Sequence, residues 1–214
     1  MPTENLDETA KQILNAASRR FLHYGYGKTT MSEIAQDCNM STGNLYRYFP
    51  SKLDIAEIFV RVLRREQVAS LRAVLAAPGM APAEKLRAFF LEKFKLAYDR
   101  FHDKPKAYEL SQELLHSRPK VGIEWENAEG RVLSEILVEG DQQGVFAFDD
   151  AVKTAKILQD AFYRFTSPAI FHEGDFDELA GELEGVTSFI IDGFAWRAAR
   201  RAALEKKKHG AGAL

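Results

Sequence analysis

Residues 29–52, TTMSEIAQDCNMSTGNLYRYFPSK, contain two short helical patterns separated by a tight turn. Thr30, with Glu33 three residues later, forms the capping-box pattern that opens a helix. Asn39 then supplies a residue that tolerates the left-handed backbone of a turn, where glycine is usual. Ser41 opens the second short helix, which must close before the next proline. A helix, a tight turn and a second helix together predict a helix-turn-helix.

The second short helix has one apolar face and one polar face. Leu45 and Phe49 lie four residues apart and are expected to pack against the apolar residues of the first short helix. The outward face carries groups that can hydrogen-bond to base edges or phosphate oxygens, and a glycine that permits close approach to a backbone: Thr42, Gly43, Asn44, Tyr46, Arg47 and Tyr48. Lys52 opens the next helix, where a cation is poorly placed against the helix dipole, and a nearby phosphate would explain it. The pattern predicts contact with double-stranded DNA.

The segment GYGKTTMSEIAQDCNMSTGNLYRYFPSKLDI, residues 25–55, resembles the DNA-binding segment of the TetR/AcrR family of bacterial transcriptional regulators. The resemblance covers roughly residues 10–59 and is carried by TTMSEIA followed at this spacing by LYRYFPSK. It implies a homodimer whose recognition helix enters the major groove of operator DNA and whose C-terminal domain binds a ligand and dimerises. Such a regulator typically represses transcription and leaves its operator when a small molecule binds.

By position, the resemblance also implies particular DNA contacts. The helix that approaches a phosphate begins at Thr30 and Ser32. The base-facing start of the recognition helix falls on Thr42, Gly43 and Asn44. The residues that hold the DNA backbone are Tyr46, Tyr48 and Lys52. Asn39 stands where the family commonly has glycine, and Asn44 stands where it commonly has threonine or alanine.

Helical periodicity dominates the rest of the chain, in which prolines are few. Long helices are predicted over residues 52–77, 82–102, 105–116, 121–143, 151–171 and from 176 past 201. The predicted fold is all-α, with an N-terminal three-helix helix-turn-helix domain and a larger C-terminal helical domain for ligand binding and dimerisation. The predicted domains are residues 1–52 for DNA binding, 53–207 for ligand binding and dimerisation, and 208–214 as a flexible tail.

Composition limits the possible classes of protein. Hydrophobic residues make up 46% of the 214 residues, enough for a folded core. The formal net charge of −2 gives no overall signal for nucleic acid, so DNA affinity should depend on a few aimed contacts and on dimerisation. The single cysteine excludes an internal disulfide, and no apolar run approaches the ~20 residues that span a bilayer. These features predict a soluble cytoplasmic protein that does not contact membranes.

The C-terminal part contains aromatic residues that predict a pocket for a small apolar or aromatic effector. Three of them share one helix face with a histidine nearby, and others lie on helices that could converge with it. The polar residues that could orient the ligand are His102, Glu109, Glu113 and His116. The predicted lining residues are Phe94, Tyr98, Phe101, His102, Glu113, His116, Trp125, Phe162 and Tyr163. At helical spacing, each aromatic could equally belong to the ordinary core.

Two other functions remain open from the sequence. Glu113 to His116 has the Glu-x-x-His spacing of carboxylate-bridged metal sites in helical bundles, with Glu109 one turn earlier. A dinuclear site needs this motif on two helices, and the chain has one copy, so no metal, cofactor or catalytic residue is predicted. The second possibility is a DNA-binding regulator that is controlled by a protein partner.

The last two long helices are predicted to form a homodimer. They mix small residues with large apolar ones, which allows helices to approach closely and to bury area. The small residues are Ala151, Ala155, Ala161, Gly185, Gly193, Ala195, Ala198 and Ala199. A two-fold operator also favours a two-fold protein, although the same residues could pack inside one subunit.

Overall fold

The computed structural model describes residues 6–76 and 78–211, and the side chains as far as residue 206. The described residues form nine α-helices: α1 (Glu8–Tyr24), α2 (Met31–Asp37), α3 (Thr42–Tyr48), α4 (Lys52–Leu75), α5 (Pro82–Phe101), α6 (Pro105–Ser117), α7 (Pro119–Gln142), α8 (Ala151–Ala161) and α9 (Phe176–Ala211). They contain no β-strand, which confirms the all-α fold. No helix among them combines the length and apolar character needed to cross a membrane.

Local capping signals begin the helices where the sequence predicts. Both hydrogen bonds of the Thr30 capping box are present at the start of α2. Asn39 has a φ of 52°, which confirms the left-handed turn between α2 and α3. The Ser41 hydroxyl accepts the Asn44 N–H at 3.2 Å, and Asp150 accepts the N–H of the third residue of α8. Each cap satisfies a backbone donor that the helix itself leaves unpaired.

The predicted helix over residues 151–171 is wrong in its second half. The α-helix α8 ends at Ala161, and the chain continues in two short 3₁₀ helices, Tyr163–Thr166 and Pro168–His172. Proline lacks the N–H that an α-helix interior needs, and Pro168 instead opens the second 3₁₀ helix.

The predicted flexible tail, residues 208–214, overlaps the end of the last helix. The backbone of α9 continues to Ala211, and residues 212–214 lie outside the described residues. The flexibility of the tail stays a prediction.

The first compact unit comprises residues 6–67 and 99–125. Its core contains the apolar faces of α1 to α4, and two residues of α6, Leu110 and Leu114, are buried in the same cluster. Cys38, the single cysteine of the chain, is buried there with its Sγ 3.8 Å from the carbonyl oxygen of Gln12, and burial raises the pKa of its thiol. The predicted boundaries at residues 52 and 207 separate functional roles, whereas the compact units are defined by packing. The predicted boundaries therefore stay predictions.

The second compact unit comprises residues 68–98 and 126–211. Aromatic contacts connect α5 with the segment that follows α8 and with the start of α9. The ring of Phe90 stacks on Phe162 with 3.7 Å between centroids, and the ring of Phe94 stacks on Phe176 at 5.1 Å. Of these rings, Phe90, Phe94 and Phe162 are buried in the interior of this unit.

Gly140 in α7 is needed for the packing of Phe146. A Cβ added at Gly140 would overlap the buried Phe146 ring, which lies 5.2 Å from the ring of Phe194. Gly140→Ala should therefore lower the free energy of unfolding by about 2 kcal/mol, because overpacking outweighs the better helix propensity of alanine. Gly181→Ala is the matched control, since its added Cβ meets nothing within 4 Å, and it should raise stability by up to about 1 kcal/mol. Denaturant unfolding measures both variants, and a Gly140→Ala protein as stable as the control would contradict this packing argument.

Candidate functional site

Helix α3 presents the predicted polar face to the outside of the first unit. Leu45 is fully buried and Phe49 nearly so, which fixes the rotation of the helix. Tyr46 and Arg47 are exposed, while the other polar side chains of the face are partly covered. A Cβ added at Gly43 would meet nothing within 4 Å, so the chain itself does not require glycine at this position. The absence of a side chain there keeps the start of the helix open to close approach by another molecule.

The start of α2 is held by a small polar network. The Thr30 hydroxyl lies 2.7 Å from Oε2 of Glu33, and this hydrogen bond lowers the pKa of the Glu33 carboxyl. Arg20 pairs with Asp37 at 2.6 Å and with Glu33 at 3.3 Å. Ser32 is exposed beside this network. The first turn of α2 therefore already carries a carboxylate near the positive end of the helix dipole.

Lys52 has a structural role that sequence reasoning missed. Its Nζ donates hydrogen bonds to the carbonyl oxygens of Tyr26 at 2.6 Å and Thr29 at 2.7 Å. The ammonium also lies 4.1 Å from the centroid of the Tyr26 ring, and burial lowers the pKa of this lysine. These contacts tie the first residue of α4 to the loop before α2. These contacts within the protein account for a cation at the start of α4. The phosphate contact of Lys52 stays a prediction.

A charged cluster joins α4 to the corner between α6 and α7 within the first unit. Arg118 donates to Asp54 at 2.6 Å and also to Glu57. Arg61 pairs with Glu57 at 2.7 Å and with Glu124 at 2.7 Å. Sequence spacing reveals the Glu57–Arg61 pair, which lies four residues apart on one helix. The pairs that involve Arg118 join residues too distant in the chain to be recognised by spacing.

The residues of the possible metal motif are engaged separately. Glu109 accepts the Gly27 N–H at 3.3 Å and pairs with Lys106 at 3.0 Å, and these hydrogen bonds, the one from Lys106 first, lower the pKa of Glu109. Glu113 accepts the Ser117 hydroxyl at 3.1 Å. Among the residues that the structure describes, no group of three or more His, Cys, Asp or Glu side chains is arranged to hold a metal ion.

The predicted effector residues divide between the two units. In the second unit, the Phe94 and Tyr98 rings contact each other and also two rings that the sequence did not single out, Phe171 and Phe176. Phe162 is buried against Phe90, whereas the Tyr163 side chain is 67% exposed. The sequence shows that Phe171 and Phe176 are aromatic, but it does not show which distant residues their rings contact.

The first unit contains the other predicted effector residues. Trp125 lies beneath the Arg64 guanidinium, 4.7 Å from its ring centroid, and Phe101 contacts the Tyr108 ring at 6.2 Å. His102 lies 3.5 Å from Asp103. Glu113 and His116 are exposed on α6. Whether any of these residues contacts an effector stays a prediction.

Two family models match the chain. Residues 13–57 match a model described as bacterial regulatory proteins of the tetR family, and residues 82–187 match a tetracyclin repressor-like C-terminal domain. The first match contains the whole helix-turn-helix, and the second contains most of the second unit together with α6.

Curated relatives and solved structures agree with these matches. The chain is 27% identical over 185 residues to the HTH-type transcriptional repressor KstR2 of Mycobacterium tuberculosis (strain ATCC 25618 / H37Rv), covering 82% of this chain and 92% of the relative. It is 42% identical over 50 residues to the regulator HbdR of Aromatoleum sp. (strain CIB), covering 23% and 22%. The structure of the fatty acid degradation regulator FadR from Bacillus halodurans has a TM-score of 0.67 at 21% identity, covering 88% of this chain and 97% of that one. The ketosteroid transcriptional regulator KstR2 of Mycobacterium tuberculosis has a TM-score of 0.54 at 19% identity, covering 89% and 96%. These two structures show that the fold is shared.

Proposed function

Because this chain belongs to the TetR family of DNA-binding transcriptional regulators, we propose that it is a homodimeric cytoplasmic repressor that a small apolar ligand releases from its operator. The observation that carries the proposal is helix α3, which buries Leu45 and presents its polar face outward within the part of the chain that matches the family. The role is binding rather than catalysis. A second copy supplies the second recognition helix, as a two-fold operator requires.

Three groups of residues make the proposed DNA contacts. Thr42, Gly43 and Asn44 face the bases at the start of α3, and Asn44 supplies the amide that suits adenine. Tyr46, Arg47 and Tyr48 bind the DNA backbone from the rest of the helix. Thr30, Ser32 and Lys52 approach phosphates from the starts of α2 and α4. For Thr30 and Lys52 this contact is added to the bonds that they already make within the protein.

An operator-binding experiment tests the proposed contacts. Asn44→Ala should cost about 1–3 kcal/mol at one or two base positions, because a lost base contact relaxes preference locally. Arg47→Ala should weaken binding to all sequences about equally and reduce the salt slope by about 1, because it removes one phosphate contact. Selection from random DNA defines the operator, and a full set of single-base variants then gives the preference of each protein. Gln36→Ala, exposed on α2, is the control expected to change neither quantity. An unchanged base preference in Asn44→Ala would remove Asn44 from the proposed interface.

The proposed effector is an apolar molecule that binds in the second unit. The stacked rings around Phe90 and Phe94 provide apolar surface, which suits such a ligand. The names of similar proteins point the same way, since FadR is named as a fatty acid degradation regulator and KstR2 as a ketosteroid transcriptional regulator. Release from DNA requires that the ligand bind the non-binding conformation more tightly than the DNA-binding one.

The proposed dimer surface lies on α9. Phe189 and Trp196, two helical turns apart, are 80% and 61% exposed, an unusual state for large aromatic residues. Gly185 and Gly193 lie on the same side, and an added Cβ at either would meet nothing within 4 Å. Each glycine costs its helix about 1 kcal/mol relative to alanine, and packing within the chain does not require it. Close approach of a second copy would account for both the exposed rings and the glycines.

A further inference from the structure

A lysine lies in the middle of the buried face of α5. The buried residues of α5 are mostly apolar and include Leu86, Phe90, Phe94 and Ala97, together with a second lysine, Lys85, near the start of the helix. Lys93 lies at helical spacing from Leu86, Phe90 and Ala97 and directly precedes Phe94, and its side chain is only 12% exposed. Lysine rarely occupies such a position unless its charge is paired.

Lys93 belongs to a line of buried polar groups that crosses three helices of the second unit. Its Nζ lies 2.8 Å from Oε2 of Glu129 in α7, whose side chain is 6% exposed. The next residue of α7, Gly130, leaves space for the amide of Gln159 from α8. The Gln159 Nε2 donates to the carbonyl oxygen of Glu126 at 3.0 Å. Charged and amide groups therefore meet along one stretch of α7 inside an aromatic interior.

Stability alone does not explain this ion pair. Taking two charges out of water costs several kcal/mol for each ion, and well-packed apolar residues often serve stability equally well. A second lysine-glutamate pair joins the same two helices, Lys85 with Glu139 at 2.8 Å, but the Glu139 side chain is 32% exposed and remains hydrated. The Lys93–Glu129 pair is the one whose two members are both withdrawn from water. A charge that is withdrawn from water on a mostly apolar helix face suits a site that binds an apolar ligand through one polar group.

We propose that Lys93 anchors the carboxylate of an apolar ligand in the second unit, and that Glu129 is the counter-ion of Lys93 when no ligand is bound. The inference rests on the proposed function, in which an apolar molecule is the effector. Phe90 and Phe94 flank Lys93 on the same helix and supply the wall for the hydrocarbon part. A carboxylate is the proposed ligand class because it adds one negative charge beside Lys93 and Glu129, whereas a phosphate monoester would add nearly two.

The two 3₁₀ helices between α8 and α9 provide a route of entry. Phe171, in the second of them, contacts both Phe94 and Tyr98 and so covers the end of the aromatic cluster. Short 3₁₀ helices have poorer hydrogen-bond geometry than α-helices, so this segment can open at lower cost than the surrounding helices.

Matched pairs of probes test the proposal. Decanoate is compared with 1-decanol, and 2-naphthoate with 2-naphthalenemethanol, by calorimetric titration of the full-length protein. The carboxylate should bind about 10- to 100-fold more tightly than its alcohol in at least one pair, as expected for a charge-assisted hydrogen bond. The double variant Lys93→Met/Glu129→Gln, which replaces both charged groups with neutral ones, should lose this preference and keep its affinity for the alcohol. Glu129→Gln alone should strengthen carboxylate binding, because it removes the competing anion.

The second lysine-glutamate pair provides the control. Lys85→Met/Glu139→Gln removes a pair of the same type from the same two helices, and it should retain the full carboxylate preference. Thermal unfolding confirms that each variant is folded. Lys93 is not the anchor if alcohol and carboxylate bind equally to the unaltered protein, or if the control also loses the preference. Either result leaves the proposal of an apolar effector intact. If none of the four probes binds, the proposal of an apolar effector fails together with this inference.

Discussion

The double variant Phe189→Glu/Trp196→Glu is expected to be a folded monomer that binds the operator at least about 100-fold more weakly than the unaltered protein. Both side chains are exposed in the single chain, so the charges should change its free energy of unfolding by no more than about 0.5 kcal/mol. In a two-fold interface each substitution occurs twice, and four carboxylates would meet where apolar rings are proposed to pack. Loss of the dimer removes the effective concentration that couples binding at the two half-sites.

Sedimentation velocity and operator titration together test this expectation. Ile123→Glu introduces the same charge at an exposed apolar position of α7 in the first unit, and this control should remain dimeric. A double variant that stays dimeric would place the dimer surface elsewhere. A monomer with undiminished operator affinity would refute the requirement for two recognition helices.

Replacing Arg118 with methionine should lower the free energy of unfolding by about 3 kcal/mol, because two half-buried carboxylates lose their shared cation. The Asp54 and Glu57 side chains are 28% and 15% exposed, and Arg118 bonds to both. Arg61 continues to pair with Glu57, so the loss should stay below that of a fully buried pair left without any partner. Because α4 begins beside the recognition helix, the variant should also bind DNA less tightly.

The stability difference should depend on pH in a defined direction. Burial tends to raise the pKa of Asp54 and of Glu57, but hydrogen bonds from Ser51 and Arg118 to the first, and from Arg61 and Arg118 to the second, outweigh it and leave both pKa values lowered. A lowered folded-state pKa adds stability that is present above the unfolded value and is lost as pH falls through the folded value. The difference between Arg118→Met and the unaltered protein should therefore be largest near neutral pH and shrink below about pH 4.

A surface pair in the second unit provides the control for Arg118. Arg72 and Glu135 lie 3.1 Å apart with both side chains about half exposed, and Arg72→Met should cost no more than about 1 kcal/mol. Denaturant unfolding between pH 3 and 8 measures both variants. A pH-independent difference for Arg118→Met would show that its effect is packing rather than charge.

Much of the fold follows from signals that are local in the sequence. The side chains of Thr30 and Ser41 accept backbone N–H groups three residues later, and Asn39 adopts the left-handed backbone of the turn. Because these effects are local, they can be predicted without a structure. The buried face of α3 follows equally well from the spacing of Leu45 and Phe49. The 3₁₀ segment after α8 differs from the predicted helix because Pro168 lacks the N–H that an α-helix interior needs, although the apolar periodicity continues through it.

The candidate sites are less predictable because they depend on partners far apart in the chain. Lys52 looked like a free cation at a helix start, and only the fold brings the Tyr26 and Thr29 carbonyl oxygens within reach. Local spacing does not identify Lys93 as a buried residue, since its partner Glu129 follows it by more than thirty residues. Periodicity identifies which face of a helix is buried on average, but it does not identify which charged residue is buried together with the apolar side chains of that face.

The single thiol of the chain lies in the first of the two compact units. Its chemical modification can therefore report when the first unit opens independently of the second. Cys38 is buried and its thiol pKa is raised, so a thiolate-directed reagent reacts with it only when the first unit opens. At neutral pH the modification rate therefore follows the free energy of that opening, whether or not the second unit opens with it. Effector binding in the second unit can slow this reaction only if it stabilises the first unit, and operator binding should slow it directly. The protection that the effector gives to Cys38, compared with the stabilisation expected from the effector's own concentration and Kd, measures how much of its binding energy reaches the first unit.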